Sequence, residues 1–130
     1  MKTKDLMLYD WVQVPSELNR FKQIKSTFDM DEAVLYQPIP LTEEILKKNG
    51  FLLHNSASYF KEYMWTTGGI DEYADVYIEV GKDQQDNWRW DNLKCKLHFF
   101  RGDVFLVKMQ YVHELQHALR ICHIDKEIVL

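Results

Sequence analysis

The chain of 130 residues is the size of one ordinary domain. With 46% hydrophobic and 14% aromatic residues it can bury a packed core, which excludes a disordered chain. Its 16 basic and 20 acidic residues are interspersed and leave a net charge of −4, so no broad basic face is available for a nucleic-acid backbone. No apolar run is long enough to cross a membrane, and Asp5 and Asp10 come too early for the apolar region of a signal peptide. We therefore expect one cytoplasmic domain, residues 1–130, that binds neither nucleic acid nor membrane.

The first part of the chain, residues 1–41, predicts a small β region. Trp11–Val14 has the composition of a short strand, and residues 33–37 predict another, which ends before two prolines. Residues 16–28 fit either a helix that begins at Ser16 or an edge strand toward Phe28. A partial SH3-like barrel is one form that this region could take.

The best-specified local element is a short helix over residues 42–49. Thr42 can cap its N-terminus, and the glutamates of the first turn and the lysines of the last turn complement the helix dipole. Asn49 and Gly50 then supply a left-handed stop, with Phe51 placed to fold back on the helix. The pattern predicts a helix with a structural role and no catalytic residues.

Residues 51–109 predict an antiparallel sheet, with strands at 59–65, 75–80, 94–100 and 104–109. In the second and third of these strands apolar residues alternate with polar ones, so one face of the sheet should lie on the core. A polar loop is expected between those two strands.

The C-terminal segment predicts a helix over residues 111–122 that packs on the sheet. Residues 128–130 could add a final short strand. Strands followed by one helix laid across them indicate an α+β fold, in which residues 42–130 hold the central helix, the sheet and the C-terminal helix. The core stripe of the last helix consists of Val112, Leu115, Leu119 and Cys122.

This last helix also carries the one pattern typical of a catalytic site. His113, Glu114 and His117 match H-E-x-x-H, in which two histidines one helical turn apart share a zinc ion and the glutamate activates the metal-bound water. His123 falls where a longer zinc-peptidase signature places its third ligand. A hydrolase with zinc as its cofactor is therefore the alternative function.

Three features count against a zinc site. The longer signature needs a glycine where this chain has Arg120, and nothing in the sequence stops the helix before His123. In a continuous helix His123 lies about 15 Å along the axis from His113, too far for a shared ion. His113, His117 and Arg120 also lie opposite the core stripe, where a small protein usually meets solvent, and only seven residues follow His123. We expect a solvated histidine face, no metal and no catalytic residue.

Aromatic residues concentrate in the predicted sheet. Trp88 and Trp90 share one strand face with Arg89 between them, and Tyr63 and Trp65 lie in a neighbouring segment. Tryptophan, tyrosine and arginine dominate contact energies between proteins, so this segment is the predicted partner-binding site. The alternative is that the same aromatic side chains fill the core.

Cys95 and Cys122, the only cysteines, each lie within an apolar pattern. Such a pair is typical of reduced core residues in a cytosolic protein, rather than of a disulfide framework or a catalytic thiol.

Three segments carry a further pattern: D-L-x-x-x-D-W-V near the start, P-I-P-L-T-E-E-I-L-K-K-N-G-F in the centre and Y-V-H-E-L-Q-H-A-L near the end. They resemble a family of uncharacterised small proteins from phages, prophages and mobile elements of gut bacteria. In that family the last segment commonly has the pattern Y-V-H-Q-L-Q-N, from which Glu114 and His117 depart. The resemblance implies an accessory protein of a phage or mobile element and names no activity.

Together these observations predict a non-enzymatic accessory protein that acts by binding a protein partner, which is either another protein or a second copy of this chain.

Overall fold

The computed structural model describes residues 10–14, 20–25, 37–66, 74–99, 102 and 104–130. These residues form two helices and two antiparallel sheets, which confirms the predicted α+β class. The smaller sheet pairs β1 (Trp11–Val14) with β2 (Arg20–Gln23). The strands of the larger sheet lie side by side in chain order and are β3 (Leu52–Ser56), β4 (Phe60–Thr66), β5 (Ala74–Lys82), β6 (Trp88–Phe99) and β7 (Val104–Met109).

The N-terminal sheet confirms the strand predicted at residues 11–14 and decides part of the ambiguous segment after it. Arg20–Gln23 pairs antiparallel with β1, so a helix is wrong for these residues. Gln37 and Gln13 exchange two backbone hydrogen bonds of 2.8 Å, which forms a bridge at the end of the next predicted strand. The rest of that strand lies outside the described residues, and the SH3-like form stays a prediction.

The central helix α1 (Glu43–Lys48) confirms the predicted capping at both ends. The hydroxyl of Thr42 accepts a hydrogen bond of 3.2 Å from the backbone N–H of the third helical residue. At the other end Gly50 adopts a positive φ of 86°, which only glycine tolerates without a steric penalty. The N–H of Phe51 then donates to the carbonyl oxygen of Leu46 at 3.0 Å, and the Phe51 ring is fully buried.

The five-stranded sheet buries one of its faces, called the inner face below. Val76, Ile78 and Val80 of β5 are fully buried, which confirms the predicted alternation. β6 alternates in the same way at Cys95 and Leu97 but starts well before the strand predicted there. The sequence did not predict β3, because all of its side chains are exposed and it therefore lacks a buried period-two pattern.

The C-terminal helix α2 (Val112–Ile121) packs on the inner face. Val112, Leu115 and Leu119 are fully buried in the same core as the residues of β5, as predicted. Cys122 follows the helix as its C-cap and is half-buried. No helix in the described part of the chain is long and apolar enough to span a membrane.

The tail after α2 is attached to the end of α1 by one side chain. The amide nitrogen of Asn49 donates to the carbonyl oxygen of Val129 at 2.8 Å, and the amide oxygen accepts from the N–H of Val129 at 2.7 Å. The strand predicted at residues 128–130 is wrong, because a side-chain amide satisfies this backbone in place of a neighbouring strand.

Candidate functional site

The face of α2 that was predicted to meet solvent is covered. His113 is only 7% exposed, and the side chains of His117 and Arg120 are 22% and 30% exposed. Asp10, which precedes β1 and is 0% exposed, lies between His117 and Arg120. The prediction of a solvated histidine face is wrong, because the N-terminal sheet packs against the side of the helix opposite the core stripe.

Asp10 holds the N-terminal sheet to α2 with both carboxylate oxygens. Its Oδ2 lies 2.6 Å from Nε2 of His117, and its Oδ1 accepts a hydrogen bond of 2.6 Å from Nη1 of Arg120. The next residue, Trp11, donates its backbone N–H to the side-chain oxygen of Gln116 at 3.0 Å. The polar side chains of this helix face therefore connect two parts of the fold, which is a structural role.

Glu114 is occupied by the start of its own helix. Its Oε1 accepts hydrogen bonds of 3.0 Å from the backbone N–H groups of Gln110 and Tyr111. The N–H of Tyr111, the N-cap residue, is among the donors that a helix N-terminus leaves without an intrahelical partner. The residue that a zinc hydrolase would use as its general base thus caps α2.

The three histidines do not converge. The rings of His113 and His117 lie edge to face with their centroids 5.5 Å apart, and His113 stacks on Tyr111 at 5.8 Å. Contrary to the expectation of an uninterrupted helix, α2 ends at Ile121, and His123 is exposed at a positive φ of 57°. Within the described residues, no group of three or more histidine, cysteine, aspartate or glutamate side chains is placed to hold a metal ion.

Tyr63, one of the residues predicted to bind a partner, is a core residue. Its side chain is 1% exposed, and its ring lies 5.9 Å from the ring of Trp90. Its hydroxyl donates to Oε2 of Glu43 at 2.8 Å, which satisfies the one polar atom of the ring. Burial, followed by this hydrogen bond, raises the pKa of Tyr63 well above its ordinary value.

The three tryptophans of the same segment are half-buried and pack against the core. The ammonium groups of Lys61 and Lys82 lie 4.5 and 4.7 Å from the ring centroid of Trp88, so two cations contact this indole. Lys126 lies 4.4 Å from the ring of Trp65 in the same manner. Much of each indole surface is thus occupied within the chain.

Arg89 is exposed and already holds two carboxylates. Its Nε and Nη2 donate to Asp91 at 2.8 and 2.6 Å, and Nη1 lies 3.7 Å from Asp83. A partner contact through Arg89 and Trp65, Trp88 or Trp90 stays a prediction.

The cysteines fit the structural role expected for them. Burial raises the pKa of the Cys95 thiol to about 12, with a smaller contribution from Cys122. Burial also raises the pKa of Cys122. Neither thiol has the lowered pKa of a catalytic nucleophile.

The surface that sequence reasoning missed is the other side of the five-stranded sheet, called the outer face below. A row of side chains crosses all five strands in register on this face, and its outermost members, Leu52 and Leu106, are each 70% exposed. A groove of about 300 Å³ adjoins Leu106 between Lys94 and Lys108. This central row consists of Leu52, Met64, Tyr77, Lys96 and Leu106.

A second row on the outer face is charged. Glu62 of β4 is in register with Glu79 of β5, Glu79 with Lys94 of β6, and Lys94 with Lys108 of β7. The sequence showed that residues such as Lys94 point outward, but it could not place the charges of four strands in one line.

Comparison with known proteins does not identify a family for this chain. Scans against protein-family models, curated proteins and solved structures each found no match to the chain. The expected membership of a phage or mobile-element family therefore stays a prediction.

Proposed function

We propose that this chain is a non-enzymatic protein that acts by binding a protein partner through the outer face, as an accessory protein of a phage or mobile element. The phage or mobile-element origin is supported by the three sequence segments that resemble such a family. Protein binding is supported by the geometry of the sheet.

The observation that carries the proposal is the exposure of the central row. Leu52 and Leu106 are 70% exposed, although the opposite face of the same sheet carries the buried core residues of β5 and β6. Exposed apolar side chains that line up across a sheet and are flanked by charges are typical of a surface that binds protein.

The two sites expected from the sequence have less free surface or a different role. Tyr63 is buried and Trp88 lies against two lysines, so the tryptophan segment offers a partner less apolar surface than the outer face. Glu114 caps α2 and His117 binds Asp10, so the H-E-x-x-H residues support the fold.

The test is partner capture with one variant on the outer face and one matched variant elsewhere. Leu106→Asp adds a charge to the most exposed apolar part of the proposed contact, whereas Ile121→Asp adds the same charge at a 64% exposed position on α2. We expect a protein that is captured by the unmodified chain to be lost with Leu106→Asp and retained with Ile121→Asp.

Both variants should keep the melting temperature of the unmodified chain, because neither side chain is buried. Equal capture by Leu106→Asp and the unmodified chain would contradict binding through the outer face.

A further inference from the structure

We propose that the outer face binds the outer face of a second copy of this chain, with the two-fold axis parallel to the strands and between β5 and β6. This rests on the proposed function, because it names the partner for the same surface. Two identical faces related by a two-fold axis fit each other only when the face is complementary to itself.

The charges of the outer face are divided between two pairs of strands. Glu62 and Glu79 lie on β4 and β5, and Lys94 and Lys108 continue the same row on β6 and β7. Along this row, the part of the face on β4 and β5 is therefore negative and the part on β6 and β7 is positive.

A two-fold axis along the strands exchanges these halves. β4 of one copy then lies over β7 of the other, and β5 lies over β6. Glu62 meets Lys108 of the second copy, and Glu79 meets Lys94, each within the same row. In the central row the same operation places Met64 over Leu106, beside the groove of about 300 Å³.

The other face-to-face arrangement is disfavoured by the same charges. A two-fold axis across the strands would place β4 over β4 and β7 over β7, which brings negative strands to negative strands and positive strands to positive strands. Like charges at an interface are repulsive, so charge alone selects the axis along the strands. Both arrangements keep the strands of the two sheets nearly aligned, which is a common packing of two sheets.

The size of the face indicates how tight the dimer is. The four strands that overlap, β4 to β7, lie about 4.8 Å apart, and about six residues of about 3.3 Å along each strand give a contact of roughly 19 by 20 Å. Roughly 400 Å² per copy is about half of the roughly 800 Å² per partner of a standard interface. We therefore expect a reversible dimer with a dissociation constant in the micromolar range.

The experiment is sedimentation of the full chain at concentrations from about 1 to about 500 μM, a range that brackets a micromolar dissociation constant. The unmodified chain should pass from monomer to dimer. Glu62→Lys alone should weaken dimerisation about tenfold or more, because the introduced ammonium group would meet Lys108 of the second copy, and Lys108→Glu alone should do the same.

Mixing the two single variants in equal amounts should restore the dimer, since each copy then meets opposite charges at both positions. The double variant, Glu62→Lys with Lys108→Glu, should dimerise like the unmodified chain. The two residues are in strands separated by β5 and β6, so an effect within one chain would not produce this rescue. Lys48→Glu and Glu127→Lys, at exposed positions off the sheet, should leave dimerisation unchanged.

A monomer at every concentration, or single variants that dimerise normally, would overturn the second copy as partner. If Leu106→Asp nevertheless loses a captured protein that Ile121→Asp retains, the proposed function stands with a different partner. If Leu106→Asp changes neither capture nor sedimentation, the proposed function fails as well.

Discussion

The carboxylate of Asp10 lies 2.6 Å from Nε2 of His117, although the two residues are 107 positions apart in the chain. The second oxygen of the same carboxylate binds Arg120 at 2.6 Å. Asp10 is 0% exposed, whereas both partners retain part of their contact with solvent. This asymmetry decides which partner is costlier to remove.

Arg120→Ala should destabilise the protein more than Asp10→Asn does. Removal of Arg120 leaves a buried carboxylate with less compensation, and such a loss costs about 3–5 kcal/mol. Asp10→Asn removes the buried charge itself and leaves two side chains that can recover water, so we expect about 2 kcal/mol. Urea denaturation of both variants measures the two free energies of unfolding.

The double variant provides the control for this prediction. In the Asp10→Asn background no buried carboxylate needs a positive partner. Arg120→Ala should therefore cost much less free energy of unfolding there than it does alone, which is the signature of two groups in one network. Equal and additive losses would contradict a direct interaction between the two residues.

Leu115→Ala should lower the free energy of unfolding by about 2–5 kcal/mol, because the side chain is 0% exposed and its loss leaves a cavity between α2 and the sheet. Ile121→Ala, at a 64% exposed position of the same helix, should change it by less than about 0.5 kcal/mol. Chemical denaturation measures the free energy of unfolding of both variants. Because both replace a residue of the same helix with alanine, their difference reports the packing of Leu115 rather than helix propensity. A loss below about 1 kcal/mol for Leu115→Ala would contradict the packing.

Trp90→Ala should destabilise the protein by about 1–3 kcal/mol, because the half-buried indole packs against Tyr63 in the core. Tyr59→Ala removes an aromatic ring that is 69% exposed and should have a small effect on the melting temperature. Thermal unfolding followed by circular dichroism compares the two. An unchanged melting temperature for Trp90→Ala would show that the indole is free surface and favour the tryptophan segment as the partner-binding site.

Protein purified without an affinity tag should contain substoichiometric zinc. Glu114 is engaged in capping α2, His117 binds Asp10, and His123 points into solvent beyond the helix end, so the side chains of the signature do not meet at one point. Elemental analysis and calorimetric titration with zinc measure this directly. Stoichiometric zinc that disappears in His117→Ala would revive the hydrolase alternative.

The sequence by itself determined the elements whose causes are local. The caps of α1 depend on residues within one turn of its ends, and the alternation of Val76, Ile78 and Val80 depends only on the period of a strand. The same holds for the core stripe of α2. Short-range sterics, capping and periodicity can all be evaluated from neighbouring residues, which is why these elements were predicted.

Only the tertiary structure decided what covers each face. The histidine side of α2 was predicted to be solvated because it lies opposite the core stripe of the helix, yet Asp10 from the other end of the chain covers it. The rows of the outer face likewise depend on the register of four strand pairs, and a shift of one residue would send Glu62 or Leu106 to the opposite face. Register and burial result from contacts between residues far apart in the chain, and a local pattern does not contain them.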